Sequence, residues 1–461
     1  MKKAVLLLFL LTLTFFIGCH RHHSNDNLVE VDLPQIQDSG RIVALTLYGS
    51  ASYFLYRGEP MGFEYELMQQ FAKSLGLQLE VKVAKSQSEL VRMLQQGEGD
   101  IIAFNLGITK ELKDSVLFCG DELITHQVLV QRNGTGNHKP LKDVTQLVGK
   151  KIHVKPGRFL DRLNNLNKEL GGGIDIQVVE NDSLSSEDLI ALVAKGEIDY
   201  TVCDNTFAKL NKTYFYNLNI NLAISFDQRS SWAVRTTSPL LAEAATRWHE
   251  ENSKSADYKR SHKRYFEISK QIQLDPILSI ENGAISHFDQ LFKKYAKEIN
   301  WDWRLLASLA YTESNFDTTA VSWAGARGLM QLMPLTAKAM GVPEGKEQNP
   351  EESIKAAVKY LGLTTETFKN IPSDNERTKF VLAAYNAGTG HILDAMALAE
   401  KYGKDKNTWD DNVETFVLLK SKEEYYNDPV CKFGYIRGTD TYQFVKDILN
   451  RLEIYKEKIK K

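Results

Sequence analysis

The stretch Ala310–Pro334, AYTESNFDTTAVSWAGARGLMQLMP, decides how the C-terminal part of this chain folds. Leading into it, Trp303, Leu305, Leu306, Leu309 and Ala310 recur at helical spacing and predict a helix with one buried face. Glu313 follows Leu309 at i+4, so it falls on that apolar face near the helix end. Ser314, Asn315 and Asp317 are helix-poor and turn-prone, which predicts that the helix stops there. A carboxyl group on an apolar face is costly to ionise, so its pKa is expected to rise. A raised pKa is what a glutamic acid needs to donate a proton near neutral pH. Taken alone, Glu313 is better read as an exposed helix-end residue; its neighbours change that. Ser322, Gly325, Gly328 and Gln331 follow, combining small residues that let backbone approach closely with uncharged hydrogen-bonding groups.

Glu313-Ser314 followed by S-W-A-G-A-R-G-L-M-Q-L-M-P resembles the signature of the lytic transglycosylase family related to goose-type lysozyme. A second box of that family stands at Ala384-Tyr385-Asn386-Ala387-Gly388. The resemblance implies an all-α, lysozyme-like domain with Glu313 as its catalytic residue. It implies sugar contacts from Ser322 and Gln331, and from Tyr385 and Asn386 along the same groove. For Tyr385 a core aromatic with a satisfied hydroxyl is an equal reading. Ordinary glycosidases place two carboxylates across the bond. Asp317 is the acid close to Glu313 in sequence, and its turn position suits capping. The resembling family works with one Glu, which protonates the glycosidic oxygen and then takes the proton of the muramyl C6 hydroxyl. The substrate's own N-acetyl group stabilises the developing cation. Gly434-Tyr435-Ile436-Arg437-Gly438 resembles a segment of the branch that carries an N-terminal solute-binding domain. Where the family has a late Tyr-Val pair this chain has Phe444-Val445, with Tyr442 nearby.

With 461 residues the chain exceeds one ordinary core, and two or three domains are expected. Its 43% hydrophobic and 25% charged residues are an ordinary globular composition, and a net charge of −2 gives no argument for nucleic acid. Lys2 and Lys3 precede the apolar run Ala4–Ile17, too short for a comfortable membrane span, which ends at Gly18-Cys19. This resembles a bacterial lipoprotein leader, so residues 1–18 are expected to be removed and Cys19 lipidated, with several acyl chains anchoring it to a membrane. The alternative is an ordinary secretory leader. Residues 19–39 are polar and read as a tether, in which His20, His22 and His23 form a solvated cluster. Cys119, Cys203 and Cys431 lack C-x-x-C or Cys/His spacing, so isolated core thiols are expected and neither metal nor cofactor is called for.

From Arg41 strands and helices alternate: Ile42–Leu47, Phe63–Leu75, Leu77–Val83, Leu90–Leu94 and Asp100–Asn105. The grammar repeats after Gly149, with LQQGEGDIIAF matched by VAKGEIDYTVCD, and predicts two similar α/β lobes. GFEYELMQQFAKSLGLQLE, LQQGEGDIIAFNLGITKE and THQVLVQR resemble the periplasmic solute-binding proteins. That implies two crossings between lobes, with Ser231–Val234 as the return strand, and a cleft in which Glu66, Thr109 and Asp204 match ligand positions. Leu112 stands where many amino-acid binders carry the Arg that clamps a carboxylate. A peptide or cell-wall fragment is therefore the expected ligand class, and a spacer without ligand the alternative. Residues 253–283 are charged and weakly periodic and read as the interdomain connection. The expected division is 40–265 for the solute-binding-like α/β domain, 266–283 for the linker and 284–461 for the all-α domain.

The chain is thus expected to be a peptidoglycan lytic transglycosylase of cell-wall turnover. It would cleave between N-acetylmuramic acid and N-acetylglucosamine and leave 1,6-anhydro ends. A muramidase using water and a solute receptor whose C-terminal domain only grips glycan are the alternatives. Its expected place is the envelope of a Gram-negative-type bacterium, as a periplasm-facing lipoprotein of the outer membrane.

Overall fold

The computed structural model describes residues 29–134, 139–180, 184–270 and 284–459. The leader, Cys19 and most of the 266–283 linker lie outside the described residues. The N-terminal part contains β1 (Arg41–Leu47), a hairpin of β2 (Phe54–Tyr56) and β3 (Glu59–Met61), β4 (Gln78–Ala84), β5 (Ile101–Gly107) and β6 (Val116–Thr125). It continues with β7 (Gln127–Arg132), β8 (Lys151–Val154), β9 (Asp175–Val178), β10 (Tyr200–Asp204), β11 (Leu218–Ala223) and β12 (Gln228–Arg235).

One five-stranded sheet has the order β4-β1-β5-β12-β6 and the other β11-β7-β10-β8-β9. In the first, β1 is parallel to β4 and β5, with Ala44 opposite Ile101, while β12 returns antiparallel between β5 and β6. Ile42–Thr46 are buried without interruption, as a parallel strand covered on both faces requires. Helix Phe63–Ser74 supplies one cover through Leu67, Met68, Phe71 and Ala72. The chain passes between sheets twice, from β6 to β7 and from β11 to β12, which gives the two-lobed arrangement.

Two readings change at the edges of this unit. The tether ends earlier than residue 39, because Leu33–Ser39 is a helix. Its cause is local: Asp32 and Gln35 form a capping box around Pro34, and Ile36 is buried. The Asp32 carboxylate also accepts from Leu240 N and Leu241 N, pinning this helix to the first lobe. Within 253–283, Ala256–Phe266 is a helix capped by Ser255, and its Tyr265 is fully buried. Ser261 and Tyr265, one turn apart, are its buried residues. Such a narrow stripe is weak as a periodic signal.

The remaining part is helical. Helix Trp303–Ser314 lies at its centre, and all twelve of its residues are buried. The expected one-sided face is therefore a helix buried all round, as an element surrounded by others must be. Helices Asp289–Tyr295 and Gly438–Lys458 pack directly on it, and Pro350–Thr367, Asp374–Ala387 and Thr389–Lys401 share its apolar core. Ser308 Oγ donates to Ile448 O at 2.8 Å, and Arg451 Nη1 donates to Thr312 Oγ1 at 2.7 Å, tying the central helix to the last one. The helical part and the lobes share one apolar cluster, in which Ala324, Ala326, Met333 and Tyr435 pack with Phe54, Met61 and Phe71. Across the same boundary Tyr435 Oη donates to Glu187 Oε2 at 2.7 Å, and the Arg437 guanidinium lies 3.7 Å from the Tyr214 ring centre.

Candidate active site

Glu313 stands one residue before the end of the central helix, which closes through Asn315 and Phe316, both left-handed at φ 52° and 62°. The residue is only 4% exposed. Burial raises the pKa of its carboxyl group, and the nearby Arg57 guanidinium pulls it back down. Asp317 is exposed and bonds Thr319 N and Thr319 Oγ1 at 2.8 and 2.7 Å, which makes it part of a turn. No carboxylate is among the charged neighbours of Glu313 in the described residues.

The loop after Asp317 folds back as a small wall beside Glu313. Bridges Val321–Arg327 and Arg327–Leu332 hold its shape. Gly328 takes φ 75°, and a Cβ there would come within 2.3 Å of Glu347 O, so this position requires glycine. Ser322 Oγ accepts from Ala326 N at 3.0 Å and so braces the loop. Gln331 is buried with its amide turned inward, donating to Ala320 O at 3.1 Å and Gly328 O at 2.8 Å. Tyr385 is 2% exposed and its hydroxyl donates to Met330 O at 2.7 Å. The core reading left open for Tyr385 is the one this geometry fits. Asn386 Oδ1 accepts from Thr441 Oγ1 at 2.8 Å, which joins the A-Y-N-A-G helix to the last helix. Phe444 is buried in the same core. The structure thus gathers the five nominated residues in one neighbourhood, with Ser322, Gln331 and Tyr385 engaged with the loop that flanks Glu313.

Sequence reading missed the residue in closest contact with Glu313. Arg57, at the tip of the β2–β3 hairpin, places Nη2 at 2.9 Å from each Glu313 carboxylate oxygen and Nη1 at 2.7 Å from Gln331 O. Arg57 and Gly58 are both left-handed, at φ 51° and 82°, as a tight two-residue hairpin turn requires. The hairpin is held along its length: His391 Nε2 donates to Leu55 O at 3.0 Å, and Glu59 Oε1 accepts from Leu335 N at 3.2 Å. Tyr56 packs on Trp323 with ring centres 5.5 Å apart. Gly388 closes against the tip, since a Cβ there would lie 3.0 Å from Gly58 N. The signal in the sequence was Tyr-Arg-Gly-Glu between short apolar runs, a two-residue turn carrying an exposed-type cation.

The lobes carry a second feature, a cleft of about 740 Å³ walled on three sides. Tyr48 and Lys85 come from the first lobe, Lys155 and Glu187 from the second, and Glu423 and Tyr426 from the helical part. The three nominated ligand residues do not line it and are engaged elsewhere. Glu66 is taken up by Ser261 Oγ, Arg264 and Tyr265 Oη. Asp204 is paired with Arg158. Thr109 is spent capping helix Lys110–Lys113. Glu64, two residues before Glu66, is the buried acid of helix Phe63–Ser74 and accepts from Asn105 Nδ2 and Trp232 Nε1, each at 2.7 Å. Cys119, Cys203 and Cys431 are free thiols, and no group of three potential ligands for a metal occurs among the described residues.

Comparison with known proteins follows this division. Residues 290–408 match the transglycosylase SLT domain, and residues 45–268 match the bacterial extracellular solute-binding proteins of family 3. A membrane-bound lytic murein transglycosylase F of Desulfosudis oleivorans is 33% identical over 92% of this chain and 92% of its own length. The chain belongs to the membrane-bound lytic murein transglycosylase F family. Another member, from Shewanella woodyi, is 32% identical over 96% of this chain and 90% of its own length. Membership of the transglycosylase F family joins the two-lobed unit and the SLT unit in one polypeptide and makes the chain an enzyme. No described helix is long and apolar enough to cross a membrane.

Proposed function

We propose that this peptidoglycan lytic transglycosylase works with Glu313 as both acid and base. Protonated Glu313 gives its proton to the glycosidic oxygen between N-acetylmuramic acid and N-acetylglucosamine. The acetamido group of the muramyl residue stabilises the cation, and the carboxylate then takes the C6 hydroxyl proton as the 1,6-anhydro ring closes. The observation that carries this reading is a buried carboxyl, lifted in pKa, at the end of the central helix and without a carboxylate partner among the described residues. Ser322, Gln331, Tyr385 and Asn386 shape the groove, the first three chiefly by holding its loop.

In the state described the groove is latent, because the hairpin tip occupies the place of the scissile sugar with Arg57 on Glu313. The two-lobed unit is accordingly regulatory, and its ligand is a small molecule or muropeptide. A free α-amino acid is not expected there, since Leu112 replaces the clamp and Asp204 is already paired with Arg158. Lipidated Cys19 holds the chain on the periplasmic side of the outer membrane.

The test is digestion of purified peptidoglycan with mass analysis of the products. Wild type should release muropeptides ending in 1,6-anhydromuramic acid, one water lighter than hydrolysis products. Glu313→Gln should lower the rate by several powers of ten, since each general acid or base step is worth roughly 10²–10⁴. Reducing-end products would leave a hydrolase, and full activity of Glu313→Gln would remove the assignment.

A further inference from the structure

Several backbone groups of the Gly328–Leu332 turn are met by partners from the helical unit. Met330 N donates to Ser353 Oγ, Tyr385 Oη donates to Met330 O, and Ser314 Oγ donates to Leu329 O, at 3.1, 2.7 and 2.8 Å. Gln331 N donates to Gly328 O, and Arg327 N donates to Leu332 O. Gln331 itself takes φ 47°, a left-handed backbone that is uncommon outside glycine, and its carbonyl faces the Arg57 guanidinium beside Glu313. Among the described residues that oxygen accepts from Arg57 Nη1. The other nitrogen of the same guanidinium bonds both oxygens of Glu313. A carbonyl and a carboxyl group are therefore spaced so that one planar, delocalised cation bearing N–H groups meets both.

The cleavage reaction forms a cation of that description. We propose that the carbonyl oxygen of Gln331 accepts the acetamido N–H of the muramyl residue at the cleaved bond and binds it most tightly when that group becomes an oxazolinium ion. This rests on the reading of Glu313 as the acid and base. As the C1–O glycosidic bond breaks, the leaving oxygen takes the Glu313 proton and the acetamido oxygen supplies the electron pair of a new C1–O bond. The positive charge spreads over the O–C–N unit, and the nitrogen keeps its proton, now a stronger donor to Gln331 O. The C6 oxygen next attacks C1, the pair of the temporary C1–O bond returns to the acetamido oxygen, and the C6 proton passes to Glu313. A main-chain carbonyl so placed performs the orienting task that a second carboxylate would otherwise have, without a second buried charge. The Gln331 side chain is a positioning group: its amide, held by Ala320 O and Gly328 O, fixes the backbone twist that aims the carbonyl. Arg57 is then a resident look-alike of the intermediate.

The experiment weakens the carbonyl and removes the Leu332 N–H with it. In the full chain carrying Arg57→Ala, Leu332 is replaced by its α-hydroxy acid, so that the 331–332 amide becomes an ester, whose carbonyl is a poorer acceptor. The expected result is a fall in kcat of roughly ten- to hundredfold, the scale of one hydrogen bond to a charged group, with KM nearly unchanged because the contact strengthens beyond the ground state. A second measurement needs no ester: guanidinium chloride at millimolar concentration should inhibit Arg57→Ala competitively where sodium chloride at equal concentration does not. An ester enzyme with unchanged kcat, or guanidinium no more inhibitory than sodium, overturns the proposal. Glu313→Gln separates the two readings. If it is inactive while the ester is silent, only the Gln331 assignment fails; if it is active, the acid–base reading fails first.

Discussion

At the scale of single residues the chain opposes two forces on one carboxyl group. Burial makes the ionised form of Glu313 costly, and Arg57 stabilises that same form. A contact that lowers a pKa is itself strengthened as pH rises through that pKa and released as pH falls through it. The latch therefore holds best where Glu313 is ionised, and the proton needed for catalysis also disfavours the latch. Replacing Arg57 by Ala should raise turnover of peptidoglycan and move the basic limb of the pH–rate profile to higher pH, because the group that lowered the Glu313 pKa is gone. A profile that keeps its basic limb in place would mean that another group sets it. Glu313 was legible in the sequence because its signal is local: a carboxyl at i+4 from Leu309, ahead of a small-residue string. Arg57 was not, because 256 residues separate it from its partner and nothing nearby marks the tip of a hairpin as a groove filler. The inward turn of Gln331 and Tyr385 was hidden for a related reason. A side chain's direction depends on the backbone twist at φ 47° and on the carbonyls that surround it, neither of which a residue type reveals.

Elements repeat the contrast. Strand–helix alternation with glycine punctuation was enough for the parallel strands, since strands buried on both faces leave continuous apolar runs, whereas the double crossing was an expectation from the resemblance to solute-binding proteins. The helix Leu33–Ser39 escaped because its stability comes from a capping box and one buried Ile36, too few apolar positions to register as a period. The glycine-bearing loop behaves as an element in its own right, and its weakest tolerance is at Gly328. Gly328→Ala would add a methyl 2.3 Å from Glu347 O at a left-handed φ of 75°. It should lower the thermal midpoint and cut turnover together, as the loop moves off Glu313. Retained activity with a lowered midpoint would show that the loop's position is not what the chemistry needs.

On the scale of the molecule, the C-terminal segment around Tyr435 is the hinge pin between the second lobe and the helical unit. Tyr435 Oη meets a Glu187 that is 8% exposed, and Tyr435→Phe removes the donor to Oε2 and leaves the carboxylate with the longer Arg437 ion pair at 3.8 Å. The expected cost is about 1–3 kcal/mol, the penalty for an unsatisfied buried polar group, read as a lower denaturation midpoint with the solute-lobe fold retained by circular dichroism. An unchanged midpoint would place no tension across this joint. At the other end of the chain, Cys19→Ala should leave uncut precursor or release the enzyme from membranes on fractionation; identical processing and partitioning would set the lipid anchor aside.

The hairpin carries a consequence for enzymology. An inhibitor that diffuses is lost on dilution, but Arg57 travels on the polypeptide it restrains, so its effective concentration at Glu313 is fixed by the fold. The specific activity of the purified chain should therefore be the same at nanomolar and micromolar protein, and dialysis should not awaken it. Whatever ligand frees the groove has to win against a tethered competitor, and its dose–response curve reports that internal equilibrium along with its own affinity.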